Sequence, residues 1–501
     1  MSQLPFFVIV PLAAGFFIPV FGKKIKPLGG AVSVAATAAL LILSANDAYL
    51  LFGSGRMLVC NVSGWQAPFG IPLVADGLTC FMLVIVNTTA FLVSLYATEY
   101  VKRYTDPWKF FSLFMLMVAG MNGVLISGDL FNLYVFLEVA AVAAYALVAF
   151  GAEAEELEAA FKYAVMGAVG SSFIVLGIAF VYSSASTLNM ADISTTLSGT
   201  AASRIPALFA SVLFLMGFGL KAALMPFHAW LPDAHSSAPT PISAMLSGLL
   251  IKVLGVYVII RIFFNVFGMS EKLSMILISL AVLSMVAASL MAFGQTDLKR
   301  LLAYSTISQV GYIMLGLGVG TPLAIMGALF HLFSHSISKA LLFLSAGAVE
   351  DIGGTRDLNK MPGVLARSRV TGYTNLIGSM SVCGIPPLSG FWSKIIIIFA
   401  CIQADRPMLA FTAAAVGMLT IGYYFKAVTP ALFGAAGSSD KAAGKKKLPP
   451  MLVLPLVALA FLAVFGILLL VPGIGRQFLG DAIAALIRGK EYASVLAECV
   501  R

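Results

Sequence analysis

Five charged side chains lie inside long apolar stretches of this chain, where a lipid bilayer leaves little room for charge. They are one glutamate and four lysines: Glu138, Lys221, Lys252, Lys339 and Lys394. An ionised group near the middle of a membrane costs roughly 3 kcal/mol or more. It is tolerated when it faces a partner or a water-filled cavity, and it then commonly marks the route of an ion. Carboxylates and amines both take up and release protons, so the pattern predicts a row of proton-exchanging sites.

Glu138 and Lys221 are predicted to form a pair that controls a proton. Desolvation favours the neutral form of either group, whereas a nearby opposite charge favours the charged form. A carboxylate close to Lys221 would therefore keep the lysine protonated, and its withdrawal would release the proton. Two plainer interpretations stay open. Glu138 could be a protonated structural residue, and Lys221 could extend past the nearby Pro226 to place its amine in water.

Lys252 and Lys394 are predicted to extend this row. Lys252 lies in the middle of its apolar stretch, between Gly248 and Gly255, whose small size permits close helix contact. Its amine is far from either end of the stretch, which favours a role in proton relay. Lys394 follows the glycines and prolines of GIPPLSGFWSK. It is expected just past a helix break, as the terminal donor or acceptor toward one side.

His331, His335 and Lys339 are each four residues apart, which places them on one face of a helix. Histidine titrates near neutral pH and suits a relay. Two histidines at this spacing can also hold zinc. No nearby glutamate or cysteine completes such a site, so we predict that no metal is bound. A structural hydrogen-bonding role for His331 alone remains an alternative.

The composition predicts an all-α integral membrane protein. The chain is 60% hydrophobic and 11% charged, whereas soluble domains carry roughly 25% charged residues. A membrane-spanning helix needs about 20 mostly apolar residues. About fourteen stretches meet this requirement, the least certain being those at 205–263 and 370–401, which contain several prolines. The stretches are residues 4–21, 28–51, 73–98, 109–127, 130–150, 161–183, 205–226, 240–263, 274–293, 299–318, 322–348, 370–401, 408–432 and 450–472.

The remaining composition argues against redox chemistry and nucleic-acid binding. The five cysteines have no paired spacing, and no glycine-rich nucleotide-binding pattern occurs. We therefore expect no cofactor in this chain. The net charge of +9 comes from loops. It indicates topology and contact with anionic lipid rather than nucleic acid.

The distribution of Lys and Arg predicts the orientation. Alternate loops carry 16 such residues on one side and 9 on the other, and the richer side should be cytoplasmic. Both termini would then lie outside the cell. The basic loop Gly437–Lys447 is predicted to anchor the cytoplasmic side, and a short surface helix is predicted after Pro472.

Four segments together resemble the antiporter-like subunits of the complex I superfamily. They are SGDLFNLYVFLEV, GLKAALMPFHAWLPDAHSSAPTPISAMLSGLLIK, ALFHLFSHSISKALLFLSAG and GIPPLSGFWSK. The superfamily includes chains of respiratory complex I, Mrp-type Na⁺/H⁺ antiporters and membrane-bound hydrogenases, and the resemblance covers roughly residues 60–430. It implies fourteen helices, two inverted five-helix repeats, and discontinuous helices seven and twelve. The implied division is 1–108, 109–263 and 274–432, followed by 433–501 with the last helix and tail.

The resemblance also implies roles for the buried charges. Glu138 matches the glutamate that modulates Lys221, and Lys394 matches the terminal lysine. Lysine rather than glutamate at this last position resembles the D-type chains of Mrp antiporters, the hydrogenase-type group, or the L- and N-type chains of complex I. L-type chains and the A chains of Mrp antiporters carry long C-terminal extensions, whereas this sequence ends soon after the last predicted span, so the D-type or hydrogenase-type group is expected. The matching relay positions are Glu138, Lys221, Lys252, His331, His335, Lys339 and Lys394.

The implied function is proton translocation within a larger membrane complex of a prokaryotic plasma membrane. The expected partners are other membrane subunits of an Mrp, hydrogenase or complex I-type assembly, together with the lipid bilayer. Protons are the expected cargo, and transport of Na⁺ is left open. Two alternatives remain. The chain could serve an NADH-quinone oxidoreductase or hydrogenase whose redox chemistry lies in partner subunits, or it could be a self-sufficient Na⁺/H⁺ exchanger.

Overall fold

The computed structural model describes residues 3–25, 27–52, 57–65, 68–199, 204–361, 363–433, 448–473 and 475–489. Helices dominate these residues, and the predicted all-α membrane fold is confirmed. Eleven of the described helices are long and apolar enough to cross a bilayer, and four shorter helices are also apolar. The count of fourteen spans stays a prediction. The predicted basic loop Gly437–Lys447 lies outside the described residues.

The described residues form eighteen helices. The first nine are α1 (Phe6–Phe21), α2 (Leu28–Leu51), α3 (Gly77–Tyr100), α4 (Pro107–Ile126), α5 (Leu130–Val148), α6 (Ala154–Ala185), α7 (Met190–Gly199), α8 (Arg204–Lys221) and α9 (Trp230–Ser237). The remaining nine are α10 (Thr240–Val266), α11 (Glu271–Phe293), α12 (Leu298–Val319), α13 (Pro322–Gly353), α14 (Arg369–Cys383), α15 (Ser389–Gln403), α16 (Pro407–Phe433), α17 (Pro450–Phe465) and α18 (Arg476–Ile487).

Two of the predicted spans are broken where proline and glycine cluster. The stretch predicted as 205–226 ends as a helix at Lys221, and the chain resumes as α9 at Trp230. Pro226 cannot donate a backbone hydrogen bond, which explains why the helix stops before it. The stretch predicted as 370–401 is two helices, α14 and α15, separated at Gly384, whose φ of 80° suits glycine. Both discontinuities that the sequence predicts are therefore present.

α10 lies at the centre of the bundle and is irregular. Every residue of α10 is buried. Three stretches within it, Leu246–Leu250, Lys252–Tyr257 and Arg261–Val266, are π-helical. Such stretches are frequent at functional sites. Lys252 begins the second of them.

Three short elements add to the membrane helices. β1 (Leu58–Asn61) and β2 (Pro72–Ala75) form an antiparallel pair between α2 and α3. No strand is predicted from the sequence, and the third span is predicted from residue 73, whereas α3 begins at Gly77. The surface helix predicted after Pro472 is confirmed as α18.

Ion pairs show which loops share an end of the bundle. Arg103 contacts Asp351 at 3.0 Å, and Asp233 contacts both Lys162 and Arg300 at 3.0 and 2.9 Å. Arg103 follows α3, and the other residues lie in α6, α9, α12 and α13, next to loops that the predicted alternation assigns to one side. We call this the basic end. α18 and the start of α3 lie at the opposite end, since Asn265 Nδ2 at the end of α10 donates to the Ala485 carbonyl of α18 at 3.0 Å.

Candidate functional site

The structure places Glu138 beside Lys221. Lys221 Nζ lies 3.5 Å from Glu138 Oε1 and donates to the Tyr145 hydroxyl at 3.3 Å. The Ser171 hydroxyl of α6 donates to the same carboxylate oxygen. The Lys221 side chain is only 3% exposed, so its amine does not extend into water, in contrast to the plainer interpretation of this lysine. Glu138 is more open, at 29%.

Local packing explains how this pair is held. Lys221 is the last residue of α8, where the helix dipole favours a cation. The Tyr145 hydroxyl fits only because Gly167 has no side chain, since a Cβ there would lie 1.9 Å from the oxygen. The Tyr145 ring meets Tyr163 edge-on, with centroids 4.5 Å apart. Tyr163 in turn stacks on Trp230 of α9. The pair is thus tied to both sides of the helix break.

Lys252 is fully buried and bonds to its own helix. Its Nζ donates to the carbonyls of Ser247 at 2.5 Å and Gly248 at 3.0 Å. The backbone on both sides of this site is π-helical. An amine held only by neutral oxygens gains less from protonation than one beside a carboxylate. Lys252 is therefore suited to holding a proton transiently.

Polar groups of α12 link Lys252 to Lys339. Ser247 Oγ lies 2.7 Å from Thr306 Oγ1, which donates to the Leu302 carbonyl at 2.9 Å. Lys339 Nζ donates to the same carbonyl at 2.8 Å and to the Tyr424 hydroxyl at 3.1 Å. Hydroxyl groups can pass a proton on, whereas a backbone carbonyl only accepts a hydrogen bond. The link is polar but does not by itself complete a proton wire.

The two histidines lie on one face of α13, as their spacing predicts. Their rings are nearly parallel, at 5°, with centroids 6.0 Å apart. His331 Nδ1 is 2.8 Å from Ser393 Oγ of α15. Within the described part of the chain, His331 Nε2 and both ring nitrogens of His335 are buried without a hydrogen-bond partner. Among the described residues, no group of three or more His, Cys, Asp or Glu side chains is placed to hold a metal ion.

Lys394 bridges the second helix break. Its Nζ donates to the carbonyls of Val382 at 2.7 Å and Cys383 at 3.4 Å, the last two residues of α14. The amine also lies 5.1 Å from the centre of the Tyr312 ring, which neighbours His331. Lys394 thus connects the terminal carbonyls of one half-helix to the histidine row.

One buried ion pair is missed by sequence reasoning. Arg261 of α10 contacts both carboxylate oxygens of Asp76, and its Nε donates to the Tyr257 hydroxyl at 3.0 Å. The loop count of Lys and Arg includes Arg261, although its side chain is 4% exposed. Asp76 also caps α3 by accepting from the Thr79 N–H at 2.9 Å. The position of Arg261 at the end of an apolar stretch is the sequence feature that could have indicated this pair.

Comparison with known proteins places the chain in a family. Residues 127–420 match the profile described as "NADH:quinone oxidoreductase/Mrp antiporter, TM". Residues 61–111 match "NADH-Ubiquinone oxidoreductase (complex I), chain 5 N-terminus". The chain belongs to this family of antiporter-like membrane subunits. The resemblance found in the sequence motifs is confirmed.

Individual relatives cover nearly the whole chain. The D subunit of an Na(+)/H(+) antiporter from Alkalihalophilus pseudofirmus is 36% identical over 91% of this chain and 92% of its own length. The N subunit of an NADH-quinone oxidoreductase from Desulforudis audaxviator is 34% identical over 95% of this chain and 96% of its own length. Relatives of both kinds match at similar identity, so the predicted D-type or hydrogenase-type group stays a prediction.

Two solved structures share the fold. A chain of the membrane-bound sulfane sulfur reductase, an archaeal respiratory membrane complex, superposes with a TM-score of 0.90 at 29% identity, covering 99% of this chain and all of that one. A chain of the Mrp complex from Dietzia sp. DQ12-45-1b gives 0.87 at 27%, covering 99% of each. The architecture is therefore that of chains from multi-subunit membrane complexes.

Proposed function

We propose that this antiporter-like subunit moves protons across the membrane along the row from Glu138 to Lys394. The observation that carries the proposal is the set of buried amines and imidazoles between two broken helices. Among the described residues, Lys221 alone of the four lysines has a carboxylate partner, and the others are held by carbonyls, hydroxyls or an aromatic ring. Each can exchange its proton at moderate cost, since no tight ion pair fixes it.

Glu138 supplies the control of this row. Its carboxylate lies between the Ser171 hydroxyl and Lys221, and it reaches the outer surface of α5 beside exposed Phe131, Val135 and Val142. A carboxylate on a lipid-facing surface is costly, so we expect a partner subunit to cover it. A charge shift in that partner would draw Glu138 away from Lys221 and release the lysine's proton.

The proposal is tested by measuring proton uptake by the reconstituted complex that contains this chain. Lys221→Ala and Glu138→Gln should each slow proton uptake by reconstituted complex roughly 100-fold, the scale on which a positioned acid or base contributes. Lys360→Ala and Glu158→Gln remove one exposed charge each and serve as controls. Assembly of all four variants is checked by gel filtration. Normal proton uptake in both site variants would reject the proposal.

We also propose an orientation in the membrane, partner subunits and an internal repeat for this chain. The basic end faces the cytoplasm of a prokaryotic cell, and both termini face outward. The partners are membrane subunits of an Mrp, hydrogenase or complex I-type assembly, with any redox chemistry in those partners. The division at 109–263 and 274–432 into two inverted repeats is supported by one helix break in each half.

Exchange of Na⁺ against protons is a second candidate function. It is favoured by relatives named as D subunits of Na(+)/H(+) antiporters, from Alkalihalophilus pseudofirmus and Bacillus subtilis. In the part of the chain that the structure describes, no group of three or more His, Cys, Asp or Glu side chains is placed to hold a metal ion, and charged lysines along the row would repel Na⁺. A sodium path lined by oxygen atoms and free of lysines would fit this candidate better than the row does.

A further inference from the structure

A second buried polar path runs between α2 and α3, away from the lysine row. Thr37 Oγ1 of α2 lies 3.0 Å from Ser94 Oγ of α3. Further along the two helices, Asn87 Nδ2 of α3 donates to Ser44 Oγ at 2.8 Å. We call this path the polar seam. Its members are at most 1% exposed: Ser33, Thr37, Ser44 and Asp47 of α2, and Asn87 and Ser94 of α3.

The polar seam spans most of a membrane. From Ser33 to Asp47 is fourteen residues, or about 21 Å of helix, against a hydrocarbon core of about 30 Å. The spacing of the polar positions on α2 keeps them on one helix face, toward α3. Asn122 of α4 joins the seam by donating to Asn87 Oδ1 at 3.1 Å, while its own Oδ1 has no partner among the described residues.

A cavity lies at each end of the seam. At the basic end, a cavity of about 430 Å³ is lined by Gly30 and Thr98, each about one turn beyond the seam, together with Glu99 and Lys102. At the opposite end, a small pocket of about 20 Å³ is lined by Leu51, one turn beyond Asp47, and by the charged residues Asp76, Asp481 and Arg488. The seam therefore lies between two cavities at opposite ends of the bundle, each about one helical turn beyond its last polar residue.

Asp47 is the charged group of the seam. It lies one turn before the end of α2, its residue is 1% exposed, and neither carboxylate oxygen has a hydrogen-bond partner in the described part of the chain. A buried carboxylate without donors is costly to keep charged. Such a group points to a bound cation or proton.

The chemistry of the seam differs from that of the lysine row. Its side chains offer hydroxyl, amide and carboxylate oxygens and no amine, and such hard oxygen ligands suit hard cations. A path lined with lysines repels a metal cation when those lysines are charged. We propose that the polar seam is a separate route for Na⁺, with Asp47 as its binding carboxylate. This route rests on the proposed function only in taking the chain as part of an ion-moving complex.

The seam is closed in its middle. Fully buried Leu40 lies between Thr37 and Ser44 on the seam face of α2, and fully buried Ala90 lies between Asn87 and Ser94 on α3. This apolar layer separates the polar group of the basic end from that of Asp47. It would block a hydrated cation until the two helices move apart, which prevents a continuous leak.

Uptake of ²²Na⁺ by reconstituted complex under an imposed pH gradient tests the binding role of Asp47. Asp47→Asn should lower the uptake at least about tenfold, because the site loses its only formal charge on α2. Asp47→Glu should retain more uptake than Asp47→Asn. Proton movement in Na⁺-free buffer should stay within about twofold of the parent complex, since the lysine row is untouched.

The outcomes separate the sodium route from the proposed function. Unchanged ²²Na⁺ uptake in Asp47→Asn, or no ²²Na⁺ uptake by the parent complex, would overturn the seam as a sodium route. An equal loss of proton movement in Na⁺-free buffer would overturn it too, because Asp47 would then serve the proton path. Proton uptake in Lys221→Ala tests only the lysine row and does not bear on the sodium route. Direct ²²Na⁺ binding by purified complex, weakened in Asp47→Asn, keeps the test valid if transport is lost through misassembly.

Leu40 provides an independent test. Leu40→Ser should permit ²²Na⁺ to leak through the reconstituted complex without any pH gradient, at a rate several-fold above the parent. Ile42→Ser is the matched control, since Ile42 is 70% exposed on the outer face of the same helix. Equal leak rates in the two variants would contradict a closed sodium path at Leu40.

Discussion

The Glu138–Lys221 pair shows how much a single buried charge reveals about its neighbours. A charged group in an apolar stretch needs a partner, and the structure supplies one at 3.5 Å. Tyr145 and Ser171 also contact the pair, yet neither can be found from sequence, because tyrosine and serine occur in many membrane helices without such a role. Asp47 escapes prediction for another reason. Near the end of an apolar stretch, a carboxylate resembles an ordinary interfacial charge.

Tyr145 is predicted to position Lys221 for proton exchange. Tyr145→Phe removes a hydrogen bond to a charged group, an interaction worth about 1.5–3 kcal/mol. Proton uptake should therefore slow by about tenfold or more. Its pH profile should also be displaced, which a purely structural residue would not cause. Gly167→Ala should have a similar effect, since its new Cβ would push the Tyr145 hydroxyl aside.

Tyr182→Phe is the matched control for Tyr145. It lies on α6, with 55% of its surface exposed. If the pH profile of Tyr145→Phe coincides with those of Tyr182→Phe and the parent complex, Tyr145 has no part in positioning the lysine.

At the scale of elements, the two helix breaks are predictable from sequence but the use of their lysines is not. Proline and glycine fix where α8 and α14 end, because they remove backbone donors or permit unusual φ angles. Lys221 closes its own helix as the last residue of α8. Lys394 instead comes from the following helix and reaches back to the carbonyls of Val382 and Cys383. This difference depends on packing between helices, which sequence periodicity does not report.

The close approach of α15 to α14 should be sensitive to one methyl group. A Cβ on Gly390 would lie 1.8 Å from the Ser381 carbonyl oxygen. Gly390→Ala should therefore destabilise the protein by about 1–3 kcal/mol or more, as overpacking does. The measurement is thermal unfolding of the purified complex in detergent, in which the variant should have the lower Tm.

Gly480→Ala separates this packing effect from helix propensity. A Cβ on Gly480 of α18 would meet no described heavy atom within 4 Å, and alanine is the better helix former by roughly 0.5–1 kcal/mol. Its Tm should equal or exceed that of the parent. A Tm for Gly390→Ala as high as that of Gly480→Ala would show that α14 and α15 do not pack as described.

For the whole molecule, the sequence predicts more than a set of spans. Hydropathy and the counts of Lys and Arg predict that successive loops alternate between the two sides of the membrane. In the structure, Arg103 pairs with Asp351, and Asp233 pairs with Lys162 and Arg300. These ion pairs bring several segments of the predicted cytoplasmic side together at one end. The hairpin of β1 and β2 and the short helix α7 escape prediction. Both are too short for a periodic apolar pattern to identify against the strong signal of the membrane helices.

The orientation of the bundle is tested by epitope tags at two places. Loop charges set the orientation of membrane helices through the excess of Lys and Arg on the cytoplasmic side. A tag inserted within Gly437–Lys447 should be reached by antibody only in inside-out vesicles, and a tag after Arg501 only in right-side-out vesicles. If both tags are reached from the same face, the chain crosses the membrane an even number of times between them. That result would contradict the predicted single crossing by α17. Access with both faces exchanged would place the basic end outside and refute the charge argument itself.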